Sequence, residues 1–135
     1  MRRLRPDIAF GADIIAGFPT ETEDMFARSL DLVDECGLSF LHVFPYSPRP
    51  GTSASRMPQV EGGLIKERAA RLRATGDAAL RRRLESETGK TREILIESAT
   101  QGRTEHFLPV AIGGEMPGTV RRLAIAGHDG ARLTV

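Results

Sequence analysis

The stretch Ile8-Ala9-Phe10-Gly11-Ala12-Asp13-Ile14-Ile15-Ala16-Gly17-Phe18 decides the fold class of this chain, because it is a largely apolar run that ends at Pro19. Runs of this kind are typical of strands that are buried on both faces of a parallel sheet. A second apolar run, Phe40-Leu41-His42-Val43-Phe44, is short and rich in strand formers. The two runs predict two parallel strands of an α/β protein.

The residues between the two strands predict a helix. Thr20 and Glu23 stand three residues apart in the pattern of a capping box, and Gly37 supplies the stop. Apolar residues recur between them at helical spacing; they are Phe26, Leu30 and Val33. The resulting βαβ crossover cannot by itself cover both faces of a parallel sheet. We therefore expect the rest of the sheet to come from a longer chain or from a partner chain.

Two loops follow the carboxyl ends of the predicted strands, residues 17–21 and Tyr46-Ser47-Pro48-Arg49-Pro50-Gly51-Thr52. Ligands of parallel sheets bind at these ends of the strands. The prolines fix φ, so the second loop loses little further entropy when it meets a ligand. The guanidinium of Arg49 suits a carboxylate or a phosphate. The loops predict one wall of a binding site, although a rigid surface turn without a ligand has the same proline and glycine content.

The second half of the chain changes character. Residues 64–87 have a helical pattern with a basic stripe, for which we favour a solvated face over direct RNA contact. Short strand candidates follow, separated by glycine turns, and predict a small antiparallel β-barrel; they are residues 91–97, 105–112, 118–126 and 131–135. RNA contact by this region would have to be local, through Arg103, Arg121, Arg122 and Arg132.

Composition excludes several classes of function. The 135 residues carry a net charge of +1, so no whole-chain field favours nucleic acid, and no DNA partner is expected. No run is apolar enough to span a bilayer, and we expect a cytoplasmic location without membrane association. The single cysteine, Cys36, and three widely separated histidines predict no metal site. No catalytic residue is predicted; the helix cap explains Glu23, and Glu21 remains the carboxylate that the cap does not explain.

Two motifs together resemble the MiaB-like family of radical-SAM methylthiotransferases: Asp13-Ile14-Ile15-Ala16-Gly17-Phe18-Pro19-Thr20-Glu21-Thr22-Glu23 and residues 46–52. The residues around the second motif, 42–45 and 56–60, are most similar to the MtaB branch of that family. Gly89-Lys90-Thr91 and the region that follows resemble its C-terminal TRAM domain. The resemblance implies three segments: residues 1–62 as the last βαβ portion of a radical-SAM (β/α) barrel, 63–88 as a linker helix and 89–135 as a TRAM-like barrel.

The resemblance also implies an activity and its ligands. Family members bind S-adenosylmethionine and 4Fe-4S clusters and add a methylthio group to a modified adenosine beside the tRNA anticodon; in the MtaB branch this base carries a threonylcarbamoyl group. Residues that match the cofactor-binding positions are Ile15, Gly17, Phe18, Glu21 and Tyr46. Those that match substrate-binding positions are Ser47, Arg49 and Gly51.

The cluster cysteines of the family are absent from this sequence, which has only one cysteine. We therefore expect a C-terminal fragment of a tRNA methylthiotransferase that is inactive alone, because without the clusters the cofactor is not cleaved. Two alternatives stay open at this point. In the first alternative, the chain is a stand-alone RNA-binding or interaction module. In the second, it is one subunit of a split radical-SAM enzyme, and another polypeptide carries the missing N-terminal portion.

Overall fold

The computed structural model describes Met1 and residues 3–135. The described residues form two packed units. The first, Phe10–Ala79, is here called the βαβ unit; the second, Met1–Ala9 with Leu80–Val135, is called the β-rich unit. The boundary falls inside a long helix, and the predicted division at residues 62 and 88 stays a prediction. Neither of the two α-helices in the described residues is long and apolar enough to cross a bilayer.

The βαβ unit contains the predicted crossover. Strand β1 (Phe10–Ala16) pairs in parallel with β2 (Leu38–Pro45), and helix α1 (Glu23–Glu35) connects them. A short 3-10 helix (Ala54–Arg56) and helix α2 (Gly62–Glu85) follow. This arrangement confirms the α/β prediction for the first part of the chain.

The predicted burial of β1 on both faces is wrong. Side chains of β1 alternate between the core and solvent, and Ile15 and its neighbour in register, Phe44, are each 51% exposed. One face of the sheet packs with helical residues around a buried cluster that includes Ala16, Phe26 and Leu72. The other face carries the exposed side chains, because α1 and α2 contribute core residues to one side only of this two-stranded sheet.

The predicted capping box is also wrong in register. Thr22 is the N-cap of α1, and its hydroxyl accepts a hydrogen bond from the Met25 backbone N–H at 3.2 Å. Thr20 has φ 67°, a left-handed conformation that differs from the extended backbone of an N-cap. The predicted stop is confirmed, since Gly37 follows the helix with φ 58° and its N–H donates to the Asp34 carbonyl at 3.0 Å.

The β-rich unit holds a six-stranded sheet in the order β6-β3-β4-β5-β8-β7. Its strands are β3 (Thr91–Ser98), β4 (Gln101–Thr104), β5 (Pro109–Ala111), β6 (Val120–Ala124), β7 (Gly127–His128) and β8 (Leu133–Thr134). The core of this unit is formed by buried aliphatic residues, among them Leu84, Ile94, Ile96, Leu108, Val110 and Leu133. A β-rich second part is therefore confirmed.

The strands depart from the prediction in three ways. The pair β5–β8 is parallel, so the predicted wholly antiparallel arrangement is wrong. The predicted strand over 105–112 is reduced to β5, because residues 105 and 106 form a turn after β4. Gly102 and Gly127 fall between the predicted strands, where turns are expected, and the structure places them inside β4 and β7. A Cβ on Gly102 would stand 2.7 Å from the side chain of Ile94, so this glycine permits close strand packing.

Candidate functional site

A cleft of about 650 Å³ lies at the carboxyl ends of β1 and β2, within the βαβ unit. Its lining includes Asp13, Ile15, Phe44, Tyr46, Ser47 and Arg49. The volume falls in the range of small-molecule sites, and the walls combine apolar surface with a few polar groups. Four of the predicted site residues therefore come together: Ile15, Tyr46, Ser47 and Arg49.

The position of Arg49 is set by the backbone of its own loop. The Tyr46 N–H donates to the Ala16 carbonyl at 2.9 Å, which extends the parallel pairing past the end of β2. The Thr52 hydroxyl donates to the Arg49 carbonyl at 2.9 Å and accepts from the Ser55 N–H at 3.2 Å. These bonds fix the backbone, while the Arg49 side chain stays exposed at the cleft.

Tyr46 contributes a half-buried phenol to the same region. Its ring lies edge-on to the ring of Phe18, with centroids 5.5 Å apart and planes at 74°. Its hydroxyl oxygen is buried and makes no hydrogen bond within the described residues. A buried hydroxyl without a partner is costly.

Glu21, predicted to contact the cofactor, is a brace for the first loop. Its Oε1 accepts the Gly17 N–H at 3.0 Å and an Arg68 Nη1–H at 2.8 Å. The same Nη1 donates to the Glu21 carbonyl at 2.8 Å, and Arg68 is only 2% exposed. Neither Glu21 nor Gly17 is among the residues that line the cleft. Oε1 of the carboxylate thus holds the loop, and the predicted contact of Glu21 with the cofactor stays a prediction.

A second ion pair extends this brace to the surface. Glu23 contacts Arg68 at 3.4 Å and Arg71 at 2.7 Å. The hydrogen bond from Arg71, followed by the charges of both arginines, holds the pKa of Glu23 below its ordinary value. Both guanidinium groups also lie over the ring of Phe26, 5.5 Å and 4.8 Å from its centroid. Helix α2 is therefore tied to the start of α1 by charge and by packing.

Gly17 and Gly51 have backbone roles in the two loops. Gly17 has φ 77°, and a Cβ on it would stand 2.6 Å from the Ile65 side chain. Gly51 has φ 85° and open space around the position of a Cβ. Both positions favour glycine for its conformation, and Gly17 also for close packing against α2.

Asp13 is a cleft residue that sequence reasoning missed. It lies on β1 two residues before Ile15, so both side chains point to the same exposed face of the strand. The available signal was a carboxylate inside an otherwise apolar run. The cleft thus contains one acidic and one basic side chain, Asp13 and Arg49, between apolar walls. No group of three or more potential metal-binding side chains occurs among Met1 and residues 3–135.

The four arginines predicted to contact RNA lie on different elements of the β-rich unit, and their contact with RNA stays a prediction. Arg121 and Arg122 are consecutive in β6 and so point to opposite faces of the strand. Three of the four are in ion pairs: Arg103 with Glu97 at 2.9 Å, Arg121 with Glu115 at 3.2 Å and Arg132 with Asp129 at 3.2 Å.

Comparison with known proteins finds close relatives of the chain, while no family model matches it. The chain is 49% identical over 112 residues to the threonylcarbamoyladenosine tRNA methylthiotransferase MtaB of Rickettsia prowazekii, an alignment that covers 83% of the chain and 27% of that protein. It is 39% identical over 133 residues to the tRNA-2-methylthio-N(6)-dimethylallyladenosine synthase of Bartonella bacilliformis, covering 93% of the chain and 29% of the relative.

A protein of the same name in Sorangium cellulosum is 41% identical over 128 residues, covering 93% of the chain and 25% of the relative. The chain thus spans between a quarter and a third of the length of these curated relatives. The alignments extend over 83% to 93% of the chain. The chain belongs with the MtaB and MiaB tRNA methylthiotransferases, in which it matches the C-terminal part.

Proposed function

We propose that this chain supplies one wall of the cofactor and substrate site of a radical-SAM tRNA methylthiotransferase, which modifies an adenosine beside the anticodon. The observation that carries the proposal is the cleft at the carboxyl ends of β1 and β2, with Asp13 and Arg49 in its lining, in a chain homologous to methylthiotransferases. The apolar walls suit a purine base.

The names of the relatives offer two substrates, threonylcarbamoyladenosine and dimethylallyladenosine. The threonylcarbamoyl group ends in a carboxylate, whereas the dimethylallyl group is an apolar hydrocarbon. An exposed guanidinium on a rigid loop is suited to bind a carboxylate through two parallel hydrogen bonds. Arg49 therefore favours the threonylcarbamoyl substrate, with Ser47 as a hydrogen-bonding neighbour and Gly51 as the turn that presents them.

S-adenosylmethionine fits the polar groups of this cleft. Asp13 offers a carboxylate to the positive charges of the cofactor, and the Tyr46 hydroxyl makes no hydrogen bond within the described residues. Ile15 supplies apolar surface in the cleft, Phe18 packs against the Tyr46 ring, and Gly17 and Glu21 hold the loop beside the cleft. Bound beside a reduced iron-sulfur cluster, the cofactor supplies the radical chemistry of the family.

The iron-sulfur clusters do not fit the residues present. Such clusters are held by several cysteine thiolates, and the one cysteine of the chain, Cys36, lies at the end of α1 away from the cleft lining. We therefore propose that the chain is inactive alone and acts with polypeptide that carries the ligands. A stand-alone RNA-binding module is less favoured, because its predicted arginines are dispersed and largely paired.

The test is the nucleoside content of tRNA from cells that carry the gene for this chain. Mass spectrometry of digested tRNA should detect methylthiolated threonylcarbamoyladenosine in the parent strain and lose it after deletion of the gene. Chromosomal Arg49→Ala should approach the deletion phenotype, and Arg49→Lys should lie between, because lysine keeps the charge and loses the planar fork.

Arg56→Ala is the matched control, since Arg56 is an exposed arginine of the neighbouring 3-10 helix outside the cleft lining. It should leave the modification at the parental level. A deletion strain with unchanged methylthiolated nucleosides would contradict the proposed function, and an active Arg49→Ala variant would contradict the assigned role of Arg49.

A further inference from the structure

Thr20, in the loop that follows β1, has an unusual backbone conformation for its residue type. Its φ of 67° lies in the left-handed region, where a β-branched side chain crowds the backbone. Glycine adopts this region without strain, and among Met1 and residues 3–135 the one other non-glycine residue with a positive φ is Phe107. The backbone alone would therefore favour glycine at position 20.

The strained conformation is held by backbone atoms. The Thr20 N–H donates to the Pro58 carbonyl at 3.2 Å, and the Glu21 N–H donates to the Phe18 carbonyl at 2.9 Å. A glycine would keep both bonds. The Thr20 side chain is exposed, and its hydroxyl has no hydrogen-bond partner in the part of the chain that the structure describes. The described fold thus makes no use of this hydroxyl, and backbone strain of this kind is concentrated at functional sites.

Thr20 lies beside the cleft and not in its lining. Two residues before it, the Phe18 ring packs against the ring of Tyr46, which does line the cleft. Residues 17–23 carry two carboxylates and neither lysine nor arginine, so this loop offers a phosphate no charged partner. A hydroxyl both donates and accepts hydrogen bonds. The Thr20 side chain therefore suits an uncharged hydroxyl of a ligand that extends beyond the cleft.

We propose that the Thr20 hydroxyl binds a sugar hydroxyl of the substrate nucleoside. The inference rests on the proposed function for the presence of that nucleoside. A ribose hydroxyl both donates and accepts, as the threonine hydroxyl does, so the two groups are matched hydrogen-bond partners. This contact accounts for a threonine at a position where the backbone favours glycine. S-adenosylmethionine carries the same sugar, and the experiment therefore treats the cofactor as a separate arm.

The experiment uses the whole 135-residue chain, isotopically labelled, and follows the amide signals of residues 17–23 by NMR. The titrants are the nucleoside threonylcarbamoyladenosine and its 2′,3′-dideoxy analogue. The wild-type chain should bind the nucleoside about 2- to 13-fold more tightly than the analogue, the factor expected for one uncharged hydrogen bond. Thr20→Ala and Thr20→Gly should bind the two titrants equally, and Thr20→Ser, which keeps the hydroxyl, should retain the difference.

Thr20→Gly also separates binding from folding. Glycine relieves the backbone strain and keeps both backbone bonds, so the Tm of this variant should rise by about 2–8 °C although it loses the preference for the nucleoside. Thr75→Ala is the matched control, because the Thr75 hydroxyl donates to the Arg71 carbonyl at 3.1 Å within α2. It should leave the preference for the nucleoside unchanged.

An undiminished preference in Thr20→Ala, or a lower Tm in Thr20→Gly, would overturn the inference, as would a nucleoside that perturbs no signal of residues 17–23. In the separate arm the titrant is S-adenosylmethionine. If Thr20→Ala weakens its binding and leaves that of the nucleoside unchanged, the sugar is that of the cofactor and the assignment to the substrate is wrong. The tRNA nucleoside assay of the deletion strain decides the proposed function independently of these results.

Discussion

The buried ion pair between Arg68 and Glu21 gives the sharpest test of how the cleft loop is held. In Arg68→Ala the Glu21 carboxylate, whose side chain is only 10% exposed, loses a charged partner at 2.8 Å and keeps the Gly17 N–H. Removing one member of a buried pair costs about 3–5 kcal/mol, because the other charge is left uncompensated. We expect a loss of this size in the free energy of unfolding, measured by urea titration with circular dichroism.

Arg71→Ala is the matched control from the same helix. Arg71 is 42% exposed in its side chain and contacts Glu23 and the Phe26 ring, so its loss should cost about 0.5–2 kcal/mol. The double variant Glu21→Gln/Arg68→Ala should be more stable than the sum of the single losses predicts, because it contains no buried unpaired charge. Equal costs for Arg68→Ala and Arg71→Ala would refute the reasoning.

Further predictions concern helix α2 and the β-rich unit. Gly76→Ala would place a Cβ 2.9 Å from the Cβ of Leu41, so this substitution should lower Tm although alanine has the higher helix propensity. Gly62→Ala is the control, because the space around Gly62 is open. It should leave Tm unchanged or raise it. Burial raises the pKa of Glu87, but hydrogen bonds led by that from Arg92 outweigh it and hold the pKa below the ordinary value of 4.5. Because the pKa of Glu87 is lower in the folded state than in the unfolded state, this stabilisation is fully present above pH 4.5 and is lost as pH falls below it. Urea titrations at several pH values should therefore show that Glu87→Gln loses less stability in acid than the wild-type chain does. A rise in Tm for Gly76→Ala, or an unchanged acid profile for Glu87→Gln, would contradict these assignments.

The βαβ unit was predictable because its elements are set by local patterns. Apolar runs and a helix of regular period define β1, α1 and β2 without reference to the rest of the chain. The burial of β1 was not predictable in the same way, since it depends on what packs against each face. Asp13 was the available sign of an exposed face, because an isolated carboxylate in an apolar run is costly to bury.

The β-rich unit was harder to predict for a different reason. Gly102 and Gly127 occur inside strands, yet a glycine between apolar segments usually signals a turn. At Gly102 the reason for glycine is the side chain of Ile94 on the neighbouring strand. A pattern read along one segment contains no information about such cross-strand contacts. The parallel pairing of β5 with β8 is likewise decided by the three-dimensional path of the chain.

Glu21 shows how the same limit affects the reading of a functional motif. A carboxylate in a loop after a strand has the position of a ligand contact, and its structural partner, Arg68, lies 47 residues further along the chain. The structure adds the role of Glu21 as a brace, and the charged side chains in the cleft lining are Asp13 and Arg49. Substitution of Arg49 removes a binding group and leaves the brace intact, whereas substitution of Arg68 removes the brace and leaves both cleft charges in place. If the loop must be held for the cleft to work, both variants lose the modified nucleoside, but only Arg68→Ala also loses stability.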